Sequence, residues 1–185
     1  MRIVVGITGA SGAVFGIRTL EALRALDAVA LLILSKWARA TVAHETPTPL
    51  EELEKLASAV HHPDNQAAPV SSGSFKTDGM IVAPCSMKTL AAIRAGFGDS
   101  LICRAADVHL KERRKLVLLP RESPFSEIHL ENMLALSRMG AVIFPPIPAF
   151  YNHPQTVDEL INHIVGRVLD QFGFDMPGLK RWSGF

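Results

Sequence analysis

The sequence carries almost no excess of charge of either sign. It has 19 lysines and arginines against 18 aspartates and glutamates, which gives a formal net charge of +1 with the histidines neutral. A protein that binds nucleic acid or an anionic membrane through its overall charge needs a clear basic excess. The composition therefore argues against both partners, and any anion must be bound by a local cluster of residues.

Cysteine and long apolar runs are also scarce. The two cysteines, Cys85 and Cys103, match neither a disulfide framework nor zinc-ligand spacing, so we expect two small buried residues in a reducing compartment. No run approaches the roughly 20 apolar residues of a membrane-spanning helix. The chain begins with a strand pattern instead of a secretory signal. These absences predict a cytoplasmic protein without structural zinc.

What the sequence does have is a repeated pattern of strand and helix. Continuous apolar runs, typical of strands buried on both faces, lie at 2–7, 28–34, 79–84, 115–120 and 140–146. Helical spacing lies between them, at 14–26, 50–60, 130–139 and 157–172. At 185 residues, 48% of them hydrophobic, the chain suits one well-buried core. We predict a single α/β domain over 1–185, a Rossmann-like or flavodoxin-like three-layer sandwich around a mainly parallel sheet.

A glycine-rich turn, TGASG from Thr8 to Gly12, follows the first predicted strand. It leads into a helix whose free backbone N–H groups and positive dipole end favour an anion, most often phosphate. The turn lacks the lysine of a nucleotide P-loop and closes one residue short of a nucleophile elbow. The second strand ends in Ser35-Lys36-Trp37, without the carboxylate that a dinucleotide-binding fold needs there. The turn either binds a phosphate-bearing ligand or only allows close packing.

Two further strand ends carry groups that bind phosphate. Ser86 follows the third predicted strand and suits a helix N-cap, with Lys88 and Thr89 in the first helical turn. As a plain cap it needs no ligand, but with the first turn it frames a crevice of donors that suits a phosphorylated planar cofactor. Arg121 follows the fourth strand, where its guanidinium can bind a phosphate through two parallel hydrogen bonds.

Longer motifs resemble one protein family. The segments GITGASGAVFGIR, PCSMKTLAAI, RAADVHLKERRKLVLLPRE and GAVIFPPIPAFYNHPQT are similar to those of the flavin prenyltransferases, long described as subunits of aromatic-acid decarboxylases. The likeness implies an enzyme that joins the dimethylallyl group of dimethylallyl phosphate to N5 and C6 of reduced flavin mononucleotide (FMN) without a metal. Its product, prenylated FMN, would serve a partner decarboxylase. The likeness also implies a homo-oligomer, commonly a dodecamer, with sites at subunit interfaces.

The resemblance further implies a role for each matching residue. FMN would be bound by Gly9, Ala10, Ser11, Ser35, Ser86, Met87, Lys88, Thr89, Arg104 and Arg121. Contacts to the prenyl donor would come from Ser72, Lys111, Arg121, Tyr151, Arg167 and Trp182, the last as a lid over the prenyl pocket. Catalytic roles fall on Ser11, Glu45 and Glu122, the first two in proton transfer near N5. Lys111 and Trp182 are expected to serve the pocket of a neighbouring copy.

Each role has a simpler structural alternative. Glu45 can end a helix before Thr46-Pro47, and Tyr151 can be a packing aromatic whose hydroxyl is satisfied. Lys111 and Arg167 can face solvent, and Glu122 can pair with Arg121.

We assign no chemistry to the histidines. Apart from His44, His129 and His153, the histidines are expected at the surface; they are His61, His62, His109 and His163. Two other functions stay open for the chain as a whole. Beside the flavin prenyltransferase, these are an FMN-dependent decarboxylase that acts directly on aromatic, phenolic acids and a non-enzymatic subunit that delivers flavin to a partner.

Overall fold

Six parallel strands form one sheet in the computed structural model, which describes residues 1–184. The strands are β1 (Arg2–Ile7), β2 (Val29–Leu34), β3 (Ala59–His61), β4 (Gly79–Cys85), β5 (Lys115–Pro120) and β6 (Val142–Ile143). Their order is β3-β2-β1-β4-β5-β6, and every neighbouring pair is parallel. This is the strand order of the Rossmann fold, so the predicted fold class is confirmed. The last residue of the predicted domain, Phe185, lies outside the described residues.

Helices cover both faces of the sheet. They are α1 (Ala13–Ala25), α2 (Lys36–Glu45), α3 (Leu50–Lys55), α4 (Met87–Arg94), α5 (Leu101–Lys111), α6 (Glu127–Arg138) and α7 (Val157–Asp170), with a 3₁₀ turn at Pro69–Ser71. Alternate residues of a strand point to opposite faces, so Ile3 packs with the α1 and α7 side while Val4 packs with the α4, α5 and α6 side. Both cysteines are buried, as predicted. Across residues 1–184, no helix has the length and apolar character needed to cross a membrane.

The prediction was wrong at two edges of the sheet. The segment 50–60, predicted as one helix, ends its helix at Lys55, and β3 follows and pairs with β2. This three-residue edge strand has no fully buried side chain, so no apolar run marks it. At the other edge, β6 is only two residues long instead of spanning 140–146. Pro145 and Pro146 follow it, and proline has no N–H to extend the ladder.

The strand order reverses between β1 and β4. From β1 the chain moves outward to β2 and β3, then crosses back to β4 and continues to β6. The loops that leave β1 and β4 therefore diverge, and this opens a crevice at the carboxyl ends of the strands. Thr8 links the two ends, because its hydroxyl donates to the Pro84 carbonyl at 2.7 Å and accepts from the Ser86 N–H at 2.8 Å.

Candidate active site

A crevice of about 610 Å³ opens at this reversal of strand order. Its volume lies within the range of small-molecule sites, about 300–1,000 Å³. Residues from the ends of β1, β2 and β4 and from the start of α5 line it, among them Thr8, Gly9, Ser35, Trp37, Ser86, Lys88, Thr89, Ser100 and Ile102. Many of the residues predicted to hold FMN therefore lie together. Of the others, Met87 packs partly against the core behind the sheet.

Both serines of the crevice cap helices. The Ser35 hydroxyl accepts from the Ala38 N–H at 3.1 Å at the start of α2. The Ser86 hydroxyl accepts from the Thr89 N–H at 3.3 Å, which confirms the predicted N-cap of α4, and it donates to the Thr89 hydroxyl at 3.1 Å. Capping does not exclude ligand binding, because a hydroxyl that accepts from an N–H keeps its own proton. Ser35 can donate that proton to a ligand in the crevice.

Two glycines shape the turn between β1 and α1. Gly12 has a φ of 100°, in the left-handed region that favours glycine. Gly9 lies so close to α2 that an added Cβ would stand 2.3 Å from the Cβ of Trp37. The close-packing alternative for this turn is therefore true at Gly9. Trp37 itself is 69% exposed and presents a flat apolar surface to the crevice.

A carboxylate of the protein itself lies at the N-terminus of α1. Oε2 of Glu45, the last residue of α2, accepts from the N–H groups of Gly12 at 2.8 Å and Ala13 at 3.1 Å. The sequence predicted an anion at this helix end, and the anion is this carboxylate rather than a phosphate. Glu45 also ends its helix, as the structural alternative proposed.

Two other predicted site residues, Ser11 and Arg121, act on the Glu45 carboxyl. Partial burial by itself raises the pKa of the Glu45 carboxyl. Hydrogen bonds from the Ser11 side chain and from the Gly12 and Ala13 backbone, with the positive charge of Arg121, outweigh burial and hold the pKa below its usual value. The carboxylate is therefore ionised at neutral pH, and it can accept a proton from a group placed beside it.

Arg121 and Glu122 lie at the end of β5. The Arg121 N–H donates to the Cys85 carbonyl at 3.2 Å, and its side chain is exposed. Glu122 accepts from the N–H of Ser123 at 3.0 Å. Among the ion pairs of residues 1–184 there is none between Arg121 and Glu122, so the guanidinium is not neutralised by its neighbour.

A second cavity, of about 520 Å³, lies along α7. Its polar part carries the guanidiniums of Arg167 and Arg181, which share the carboxylate of Asp170 at 3.3 and 2.8 Å. Arg181 also pairs with Asp175 at 2.9 Å, but neither aspartate is among the described residues that line the cavity, so the wall they form carries guanidinium groups and no carboxylate. The remaining wall is mainly apolar and includes Phe144, Ile147, Ala149, Ile164 and Trp182. Such a cavity fits a small anion with a short hydrocarbon tail.

Tyr151 stands in this cavity between two other rings. Its hydroxyl lies 3.0 Å from Nε2 of His163, and its ring meets the rings of His163 and Trp182 edge-on, each at 5.6 Å. The packing alternative for Tyr151 is therefore also true. The sequence indicated neither His163 nor Arg181 as part of a site. Two sequence features could have pointed to them. His163 precedes Arg167 by four residues, which places the two on one face of a helix, and Arg181 directly precedes Trp182.

Two histidines predicted at the surface are buried. His163 is 7% exposed and His109 is 1% exposed. His109 lies behind the sheet, bonded to the Thr77 hydroxyl at 2.9 Å and the Ala105 carbonyl at 2.7 Å. A buried histidine needs such partners, and these partners are distant or backbone groups that the sequence does not reveal.

The crevice and the cavity along α7 are separate spaces within one copy of the chain. Arg18 of α1 pairs with Asp158 at 2.8 Å, which sets the start of α7 beside α1. Arg167 lies nine residues farther along α7, about 14 Å at 1.5 Å per residue. Within residues 1–184, no residue lines both spaces. Of the residues predicted to bind the donor, Tyr151, Arg167 and Trp182 line the cavity and not the crevice, whereas Arg121 acts on Glu45 of the same chain.

The remaining predicted residues lie around the loop before β4. Nε of Arg104 donates to the Ser71 carbonyl at 3.0 Å, and its Nη1 pairs with Asp107 at 2.7 Å. The hydroxyls of Ser72 and Ser74 are 2.9 Å apart and hydrogen-bonded. Arg104 thus holds this loop in place, and its role toward FMN stays a prediction.

Lys111 lies at the opposite edge of the sheet from Arg121. It ends α5 just before β5 begins, and its ammonium pairs with Glu112. The six residues of β5, at about 3.3 Å each, separate the two positions by about 20 Å. Lys111 can contact a ligand at the carboxyl edge of the sheet only in a neighbouring copy of the chain, and that role stays a prediction.

Known proteins are similar to this chain over its full length. A family profile described as Flavoprotein matches residues 1–169. A protein of Streptomyces sp. (strain D7) named "Probable UbiX-like flavin prenyltransferase" is 59% identical over 185 residues, 100% of this chain and 92% of that protein. The structure of a dodecameric FMN-dependent UbiX-like decarboxylase from Escherichia coli O157:H7 matches with a TM-score of 0.98 and 59% identity, covering 100% of both chains. That of AnUbiX (PadA1), in complex with FMN and dimethylallyl pyrophosphate, matches with a TM-score of 0.98 and 57% identity, covering 100% of this chain and 98% of that one.

Proposed function

Because this chain belongs to the UbiX-like flavin prenyltransferases of the flavoprotein family, we propose that its crevice binds reduced FMN and its cavity along α7 binds dimethylallyl phosphate. The enzyme joins the dimethylallyl group to N5 and C6 of the flavin and releases phosphate. The observation that carries this assignment is the cationic, apolar-walled cavity, whose two halves match the two halves of the prenyl donor.

The crevice has the chemistry that FMN needs. Lys88 and the Ser35 hydroxyl supply a positive charge and a donor for the phosphate. Trp37 and Ile102 supply apolar surface for the flavin ring. Gly9, Ala10 and Ser11 form the turn that follows β1. Arg121 follows β5, which is separated from β1 in the sheet by β4.

The cavity residues favour cleavage of the carbon–oxygen bond. Negative charge builds on the leaving phosphate, and Arg167, Arg181 and the Tyr151 hydroxyl line the cavity, where they can stabilise it. The apolar wall with Trp182 keeps water from the allylic cation. Reduced FMN, when bound, supplies the electron-rich atoms that receive the prenyl group. Glu45 with Ser11 accepts the proton that leaves N5, and Glu122 stands beside Arg121 as a further candidate for proton transfer.

The enzyme works as a homo-oligomer of the dodecameric kind, in which the crevice of one copy faces the cavity of another. The separation of the two spaces within one chain supports this assembly. Apolar side chains that one copy leaves mostly exposed support it too: Ile128, Leu134, Ile147, Phe150 and Val157. In such an assembly Lys111 and Trp182 serve a neighbouring site. The protein is cytoplasmic, and a prenylated-FMN-dependent decarboxylase consumes its product.

One anaerobic incubation separates this function from the two alternatives. The protein is mixed with reduced FMN and dimethylallyl phosphate, and the flavin is analysed by mass spectrometry. We expect a flavin heavier by one five-carbon unit. Unchanged flavin, with carbon dioxide released directly from a phenolic acid, would identify a decarboxylase, the activity in the name of the Escherichia coli relative. Neither product would identify a flavin-delivery subunit.

Replacing Arg121 with alanine is expected to weaken FMN binding. A hydrogen bond to a charged group contributes about 1.5–3 kcal/mol, roughly 10- to 150-fold in Kd, and the exposure of this side chain favours the lower end. Flavin fluorescence titration measures the change. Arg138→Ala, at an exposed arginine that ends α6, is the matched control. Equal FMN affinity in the two variants would remove Arg121 from the FMN site.

A further inference from the structure

We propose that His163 is a positioning residue for the prenyl donor, and that its protonation releases the Tyr151 hydroxyl to donate to the donor's phosphate. This proposal rests on the proposed function in one respect, that Tyr151 faces the phosphate. His163 does not contact the donor itself in this proposal. Its ring acts on the donor through the Tyr151 hydroxyl.

The geometry fixes the two side chains against each other. His163 is 7% exposed, its Nε2 lies 3.0 Å from the Tyr151 oxygen, and the two rings meet at 82°. Arg167 follows His163 by one helical turn, and all three side chains line the same cavity. Any anion bound by Arg167 therefore lies beside the Tyr151 hydroxyl.

Counting protons shows why the state of the ring matters. The Lys180 backbone raises the pKa of His163, and we therefore assign the proton of the neutral ring to Nδ1, on the side of Lys180, which leaves Nε2 as an acceptor. The single proton of the Tyr151 hydroxyl then points to Nε2, and only oxygen lone pairs face the cavity. A phosphate is repelled by these lone pairs. When Nε2 gains a proton it donates to the Tyr151 oxygen, and the phenol proton becomes available to the phosphate.

The charges around His163 determine how donor binding affects protonation of the ring. Burial, and then the charge of Arg167, lower the pKa of His163, while the Lys180 backbone and Asp170 act in the opposite direction. Arg181 also faces this cavity but is bound to both Asp170 and Asp175, and Glu159 lies on the other side of the ring with Lys180. The ring is thus neutral before the donor binds. A phosphate beside Arg167 offsets that cation, so donor binding and protonation of His163 favour each other.

The test compares pH profiles of wild type, His163→Gln and Tyr151→Phe. A glutamine amide N–H donates to the Tyr151 oxygen at every pH, so this variant mimics the protonated ring. We expect the wild-type KM for dimethylallyl phosphate to rise by up to about tenfold per pH unit above the pKa of His163, relative to His163→Gln. The kcat of the two proteins should stay within a few-fold. The donor's own phosphate titration affects all proteins equally and cancels in the ratio.

A binding measurement separates this proposal from the proposed function. Calorimetry with dimethylallyl phosphate, in buffers of different ionisation enthalpy, measures proton uptake without catalysis. Wild type should take up more protons near neutral pH than His163→Gln, which has no ring to protonate, and more than Tyr151→Phe, which loses the contribution of the phenol hydrogen bond. Equal uptake and parallel KM profiles in wild type and His163→Gln would overturn the proposal even if prenylated FMN is formed. Excess uptake in wild type without any prenylated FMN would support the coupling and overturn the function.

Discussion

Arg167→Ala is expected to slow prenyl transfer by about 100- to 1,000-fold while FMN still binds. Arg167 is one of two guanidiniums in the cavity along α7, where the leaving phosphate gains negative charge. Removing one preplaced donor to such a charge costs about 2.7–4 kcal/mol of transition-state stabilisation. Single-turnover kinetics with reduced FMN measure the rate, and flavin fluorescence measures FMN affinity.

The control for this prediction is Arg24→Ala, at an exposed arginine in the last turn of α1. It removes the same charge far from the cavity and should leave the rate unchanged. Tyr151→Phe should slow the reaction in the same direction as Arg167→Ala, by a smaller factor. If Arg167→Ala turns over as fast as wild type, the cavity along α7 does not bind the donor phosphate.

Glu45→Gln is expected to reduce kcat by about 100- to 10,000-fold, the usual contribution of a general base. The glutamine oxygen can still accept from the Gly12 and Ala13 N–H groups, so α1 keeps its cap. The substitution removes the negative charge and, with it, the ability to take a proton. Glu51→Gln, at an exposed glutamate in the first turn of α3, is the matched control. Wild-type turnover in Glu45→Gln would exclude this carboxylate as the base.

The pH dependence of the wild-type enzyme carries a second signature of Glu45. Its folded-state pKa lies below the usual value of 4.5, so the carboxylate is ionised throughout the neutral range. Both its catalytic action and its stabilising contacts with α1 are therefore fully present above pH 4.5 and are lost as the pH falls through the lower folded-state pKa. In Glu45→Gln this acid loss of stability should be smaller, as thermal unfolding between neutral and acid pH would measure.

The central part of the fold could be predicted from the sequence, because burial on both faces leaves continuous apolar runs. β1, β2, β4 and β5 all carry such runs, and Ser86 caps its helix as predicted. The edges could not be predicted. β3 pairs with only one neighbour and has no fully buried residue, and α2 buries only Ala38 and Val42. Both leave a pattern too weak to separate strand, helix and loop.

The site shows the same limit at the level of side chains. The turn between β1 and α1 indicated an anion, but the identity of that anion depends on Glu45, 33 residues away from Gly12. The burial of His163 depends on how α7 packs against the segment that carries Tyr151. Local sequence carries no signal for either contact. The family resemblance supplied residue roles, and only the three-dimensional arrangement separates them into a crevice and a cavity.

Mixing two inactive variants tests the central claim most directly. Glu45→Gln chains keep an intact cavity, and Arg167→Ala chains keep an intact crevice, so the two are co-expressed with different affinity tags and purified through both. If each site joins the crevice of one copy to the cavity of another, random mixing restores about a quarter of wild-type formation of prenylated FMN. Mixed oligomers that remain as inactive as either variant alone would contradict the account.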